Sequence, residues 1–125
     1  MYKALAGVLT AMLLTLGGCQ RSDLVGTWTG RDPQGASVTY SFSPDGTGYR
    51  RTGTGPQEPL TYDLERGYPN LIEVVIQSGD ARQVQHGIVQ IASETEIRLE
   101  LSPSGEPAPR QLSDTALSLR RPATR

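Results

Sequence analysis

The sequence predicts an all-β domain: a small antiparallel up-and-down barrel of about eight strands, with a β-sandwich as the alternative. Three observations carry this expectation. Apolar and polar residues alternate with period two along most of the chain after residue 23. Clusters of Gly, Pro, Asp and Ser separate the alternating runs, and no window carries the 3.6-residue apolar period of an amphipathic helix. A short chain with this many strands favours closure, because a barrel removes the unpaired edges that an open sheet exposes.

The elements follow in order. Leu24, Gly26 and Trp28 alternate with Val25, Thr27 and Thr29, and Val38, Tyr40 and Phe42 alternate with Ser37, Thr39 and Ser41. Pro44-Asp45-Gly46 is a strong turn signal, since Asp bonds locally and Gly accepts positive φ. Thr47–Thr52 returns as the hairpin partner. Gly53–Pro59 reads as a loop, and Leu60, Tyr62 and Leu64 form the next run. Residues 71–76, the most apolar stretch, read as a central strand. In Val84–Ile91 the apolar phase slips from Val84 and Ile88 to Val89 and Ile91, which suggests a β-bulge near Gly87. Ile97, Leu99 and Leu101 alternate with Glu96, Arg98 and Glu100. Pro103, Gly105, Pro107 and Pro109 mark a loop over 102–111, and Leu117, Leu119 and Arg121 form the last run before Pro122.

The N-terminus has a different character. Lys3, the only Lys, precedes an uncharged stretch from Ala4 to Leu16 rich in Leu, Ala and Val. Thirteen residues of helix reach only about 20 Å, short of the ~30 Å hydrocarbon core, so residues 1–18 read as a secretory signal. Leu16-Gly17-Gly18-Cys19 resembles the lipobox of bacterial lipoproteins. That resemblance implies cleavage before Cys19 and acylation of Cys19 with palmitate-type chains, which anchor it in a membrane. Gln20, the residue after the Cys, implies delivery to the outer membrane, facing the periplasm. The expected organisation is signal 1–18, lipidated Cys and tether 19–23, barrel 24–122 and tail 123–125. The tether from Gln20 to Asp23 spans at most ~14 Å.

Composition narrows the function classes. The 125 residues hold 12 Lys+Arg and 13 Asp+Glu, a net charge of −1 that becomes −2 when Lys3 leaves with the signal. No basic excess exists to follow a phosphate backbone, so nucleic acid is not an expected partner. One Cys and one His exclude an internal disulfide and a zinc site made from those residues alone, and no metal or cofactor is expected.

Leu24-Val25-Gly26-Thr27-Trp28 followed by Phe42-Ser43-Pro44-Asp45-Gly46-Thr47 resembles the opening of lipocalin-like β-barrel domains. The second half, with Gly87–Ile91, Ile97–Leu101 and Leu117–Arg121, is similar to a small domain of undefined function widespread in planctomycetes. Ala108-Pro109-Arg110 departs from that domain's usual Arg-Pro after the seventh strand. The lipocalin resemblance implies that a last-strand Arg covers Trp28 at the closed end. Arg121 shares the parity of Leu117 and Leu119 and is the first choice, with Arg120 second.

Catalytic constellations are sparse. His86 has no Gly-x-Ser-x-Gly elbow or comparable partner in the sequence, and Glu94, Glu96 and Glu100 share a face with Arg98 as a solvated strand would. The expected function is therefore a non-enzymatic, membrane-anchored binding or interaction module of the bacterial envelope. A small apolar ligand has room near Gly26 and Gly30 in this reading. The alternative is a protein-interaction or inhibitor lipoprotein with a filled core, engaging an envelope protein through the loops at 53–59, 66–70 and 102–111; a hydrolase using His86 or the glutamates is the remote third.

Overall fold

A computed structural model of the chain describes residues 23–122. The signal segment, Leu16, Gly17, Gly18, Cys19 and the 123–125 tail lie outside the described residues. Eight strands, β1 (Gly26–Arg31), β2 (Ser37–Phe42), β3 (Thr47–Thr52), β4 (Glu58–Glu65), β5 (Asn70–Ser78), β6 (Ala81–Ser93), β7 (Glu96–Leu101) and β8 (Leu117–Arg120), close into one antiparallel up-and-down barrel. Each strand pairs with its sequence neighbours, and β8 returns to β1 through Thr29↔Arg120 and Gly30↔Leu119.

The near end of the barrel is where Asp23–Val25 lead into β1; the turns at 43–46, 66–69 and 94–95 lie there. The far end carries 32–36, 53–57, 79–80 and the long 102–116 connection. Pro44-Asp45-Gly46 makes a tight turn: Gly46 takes φ +89°, and Asp45 Oδ1 accepts from Thr47 N at 3.1 Å and Thr47 Oγ1 at 2.7 Å.

Alternation sends Trp28, Val38, Tyr40, Phe42, Leu60, Tyr62, Ile72, Val74, Ile76, Val89, Ile97, Leu99 and Leu119 into one buried cluster. Phe42 meets the Tyr62 ring edge-on at 4.9 Å and stacks near Tyr40 at 6.0 Å. The buried Tyr62 hydroxyl donates to Ser43 O at 2.6 Å, so its polar tip is satisfied.

Three expectations need correction. First, β6 runs in unbroken register with β5 from Ala81 to Val89, so no bulge lies at Gly87; the register shift against β7 falls between Ile91 and Ser93. In this register Gln83, Gln85, Gly87 and Val89 face inward opposite Ile76, Val74, Ile72 and Asn70, and Val84 and Ile88 face outward. The apolar residues that suggested a slip are covered from outside. Ser102 N donates to His86 O at 2.9 Å, and Ser113 N and Oγ donate to the Glu100 carboxylate at 2.7 and 2.9 Å. Those bonds hold residues 102–116 as a strap over β6 and β7, and Ile88 is 2% exposed on the outer face.

Second, the space expected beside Gly26 and Gly30 is occupied. A Cβ on Gly26 would lie 2.9 Å from the Arg121 guanidinium, and one on Gly30 would strike Ser118 O and approach Leu119 Cδ2 to 2.9 Å. Gly48 and Gly87 are filled in the same way by the neighbouring strand's backbone at Ser41 and Glu100. Missing side chains here let strands approach closely, as a narrow barrel requires.

Third, strand β4 begins at Glu58, inside the stretch read as loop. Glu58 pairs across the ladder with Arg50, which donates to Glu58 Oε1 from Nε at 3.0 Å and Nη2 at 2.7 Å. Both share the inward parity of Tyr40 and Leu60, so the far end of the interior is polar. A Ser78 hydrogen bond and the Arg50 guanidinium hold the Glu58 carboxyl below its usual range. Burial pushes the Tyr40 phenol up, against the pull of Arg50.

A carboxylate with a depressed pKa contributes stability above its unfolded pKa, near 4.3, and loses it as pH falls through the folded value. Glu58→Gln is therefore expected to cost about 1–2 kcal/mol at neutral pH. The gap to wild type should shrink below pH ~4. Urea unfolding at neutral and acid pH checks this; a gap of constant size would contradict it.

Candidate functional site

The sequence pointed inward for a site, to the Trp28 end of the barrel. There Arg121 Cζ sits 4.2 Å from the Trp28 ring centroid. Its Nε donates to Glu94 O at 2.6 Å, its Nη1 to Val25 O, and its backbone N to Thr95 O at 3.0 Å. Trp28 Nε1 donates to Leu24 O at 2.8 Å. The guanidinium thus ties the segment before β1 to the β6–β7 turn while covering the indole. Arg120 instead points to the outer surface, where Nη2 lies 3.7 Å from Glu96. The near end is a closure, in which Arg121 Nε and Nη1 hold backbone carbonyls while the guanidinium covers the indole.

The acidic strand face is occupied by structural bonds as well. Glu96 accepts from Ser118 Oγ at 3.2 Å, and Glu100 anchors the strap. His86 lies on the outer face, its Nε2 2.9 Å from Glu73 Oε2, and Asp63 is the next residue across the sheet from Glu73. Among the described residues no group of three or more His, Cys, Asp or Glu side chains is arranged to hold a metal ion. His86, Glu73 and Asp63 border a shallow groove of about 450 Å³ closed on one side by Pro107 and Ala108 of the strap.

A larger groove, of about 990 Å³, lies between the strap and the 66–70 turn. Its floor is Ile88, Val89 and Ile91 from β6, and Leu112 of the strap closes one side. Its rim carries Arg66, Tyr68, Arg98 and Arg110. Arg66 pairs with Asp23 at 2.6 Å, whereas Arg98 and Arg110 have no ion-pair partner among the described residues. Tyr68 projects fully into solvent, 106% exposed, beside the cis Tyr68–Pro69 bond. The groove opens at Asp23, where the described chain starts, so it lies on the near end of the barrel's side.

Sequence reasoning singled out the loops at 66–70 and 102–111 but missed the groove they build. Arg98, Arg110 and Tyr68 are far apart in sequence, and only the strap's fold across β6 and β7 brings them to one rim. The outward phase of Ile88 was the single local signal: an apolar residue on the outer face needs cover.

The chain matches no family model, no curated protein and no solved structure. What stands without comparison is a closed, eight-stranded, antiparallel barrel with a packed interior and, among the described residues, grooves on its outside that the strap borders.

Proposed function

We propose that this chain is a lipid-anchored protein of the bacterial envelope whose lipocalin-like barrel is a filled scaffold, working through its outer surface as a non-enzymatic interaction module. The observation that carries the reading is the occupied interior. Arg121, the Ser118 backbone and the Ser41 backbone take the space that inward glycines leave, and fourteen buried side chains form one cluster across all eight strands except β3. A barrel of eight strands is just wide enough for side chains to fill it, and strands of four to nine residues, β6 apart, make this one short. The filled-core alternative is favoured over the apolar-ligand version because the space expected near Gly26 and Gly30 is occupied.

Anchoring rests on Leu16-Gly17-Gly18-Cys19 and on the short distance from Cys19 to Asp23. The acyl chains of Cys19 hold the near end of the barrel within about 14 Å of the bilayer, and the far-end loops point away from it. Outer-membrane placement, on the periplasmic side, follows from Gln20.

Cys19→Ala is expected to abolish fatty-acid labelling in growing cells and leave an uncleaved precursor; a variant still cleaved and labelled would refute the anchor. Native mass spectrometry of protein extracted from its own membrane tests the scaffold separately. A spectrum of the acylated chain alone supports a filled barrel, and a stoichiometric apolar ligand overturns it.

A further inference from the structure

The groove beside Tyr68 carries two cations without an ion-pair partner among the described residues, an apolar floor and a fully exposed aromatic ring, and Asp23, where the tether joins the barrel, lines it. We propose that this groove is the face by which the barrel lies on an anionic phospholipid surface, with Arg98 and Arg110 taking lipid phosphates and Tyr68 seated at the headgroup level. The proposal extends the anchoring reading, which fixes how far the groove is from the bilayer.

Three features favour a lipid surface as the occupant. Asp23 lines the groove itself and is four residues from Cys19, so the tether brings this side of the barrel to the membrane without crossing the domain. The local charge is positive although the chain is acidic overall. Of the charged side chains that line the groove, Arg66, Arg98 and Arg110 stand against a single carboxylate, Asp23, which pairs with Arg66. Exposed charges act over about 8 Å at physiological salt, so the attraction of these arginines to an anionic surface falls as salt is raised. Tyr68 has the amphipathic ring that settles at the membrane–water interface, an apolar body with a hydroxyl tip. In water it buries nothing.

The consequence is an orientation. A single flexible tether would let the barrel tumble; a second contact on its side leans it against the bilayer and holds Arg98, Arg110 and Tyr68 in the headgroups.

The test uses the chain from residue 19 with Cys19→Ser, which has no acyl group. Among the described residues every core side chain lies between Leu24 and Leu119, so this polypeptide contains the closed barrel and its core. Sedimentation with equimolar phosphatidylglycerol–phosphatidylcholine vesicles is expected to exceed that with pure phosphatidylcholine and to fall as salt is raised. Arg98→Gln with Arg110→Gln should weaken binding about 25-fold, roughly fivefold for each arginine near the surface. Tyr68→Ala should weaken it on both lipids. The near-ultraviolet signal of buried Trp28 reports whether each variant is folded. Absence of binding, equal binding to both lipids, or binding unchanged by the arginine substitutions overturns the proposal.

A second measurement places Tyr68→Trp in the acylated protein on the same anionic vesicles. Quenching by lipid-borne nitroxide supports the docked face. Quenching by aqueous iodide alone overturns it and points to a protein partner for the groove. Failure of the anchor reads differently, as an unlabelled Cys19 in cells while the unacylated chain still binds anionic vesicles.

Discussion

Replacing Trp28 by alanine is expected to lower stability by about 3–5 kcal/mol, the usual range for deleting a large aromatic from a core. A domain of this size has a total stability of about 5–15 kcal/mol, so the variant stands close to unfolding at ordinary temperature. The loss has three parts. Trp28 is fully buried, so its truncation leaves a cavity at the narrow end. Its Nε1 bond to Leu24 O disappears, freeing the segment that leads into β1. The Arg121 guanidinium loses the ring it lies over, while its bonds to Glu94 O and Val25 O remain. Trp28→Phe keeps most of the apolar volume and is expected to fall between wild type and Trp28→Ala. Urea unfolding followed by far-ultraviolet circular dichroism measures both without relying on the lost indole; a midpoint for Trp28→Ala within error of wild type would remove Trp28 from its place at the centre of the closed end.

Gly48→Ala is expected to rival that effect through the opposite defect. A Cβ at this position would sit far inside van der Waals contact with Ser41 O and only 2.9 Å from Ser41 C, and the obstructing atoms are backbone of the paired strand. Overpacking a filled core costs about 1–3 kcal/mol where side chains can yield, and more where a β-ladder must part. The expected loss is therefore about 3 kcal/mol or more. Gly35→Ala gives the comparison. Gly35 has φ +88° with nothing within 4 Å of the added atom, so only backbone strain of about 1–2 kcal/mol is expected. Equal losses at the two positions would mean that close strand approach contributes little at Gly48.

These two sites show what was readable in advance. Alternation exposed the inward face of β1, β2, β4 and β7 because each carries large apolar residues on one parity and polar residues on the other, whereas β5, with Leu71 and Val75 facing outward, was readable only as an apolar run. The inward parity of Arg121 is readable from Leu117 and Leu119 by the same rule. On β6 the rule inverts. Gln83, Gln85 and Gly87 point into the barrel, and Val84 and Ile88 point out under the strap. An alternating pattern reports which side is covered, and it reports the interior only when the outside is wet. The strap itself was invisible as a structural element, since Pro103, Pro107 and Pro109 say only that the segment is neither helix nor strand. Its hold depends on bonds such as Ser113 to Glu100, between residues with no shared local pattern. Arg50 and Glu58 were hidden for a related reason: a charged pair inside a barrel satisfies its own hydrogen bonds, yet each residue alone resembles a solvent-facing one. The groove inherits this obscurity, because its rim exists only after the strap is in place.

The β1–β8 seam has a kinetic meaning. Seven of the eight ladders join strands adjacent in the chain, and six of these can zip from a short turn at small cost in loop entropy, the β7–β8 ladder waiting on the 102–116 strap. The eighth joins the first strand to the last and has two register pairs, Thr29↔Arg120 and Gly30↔Leu119. Its partners meet only after the intervening meander has curled far enough to bring them together. Closure is thus expected to come late in assembly, and amide exchange is expected to be fastest among the ladders at the β1–β8 seam. Arg121 lies immediately beyond β8 and bonds across to Val25 ahead of β1 and to Glu94 in the β6–β7 turn, so the shortest seam carries a clasp.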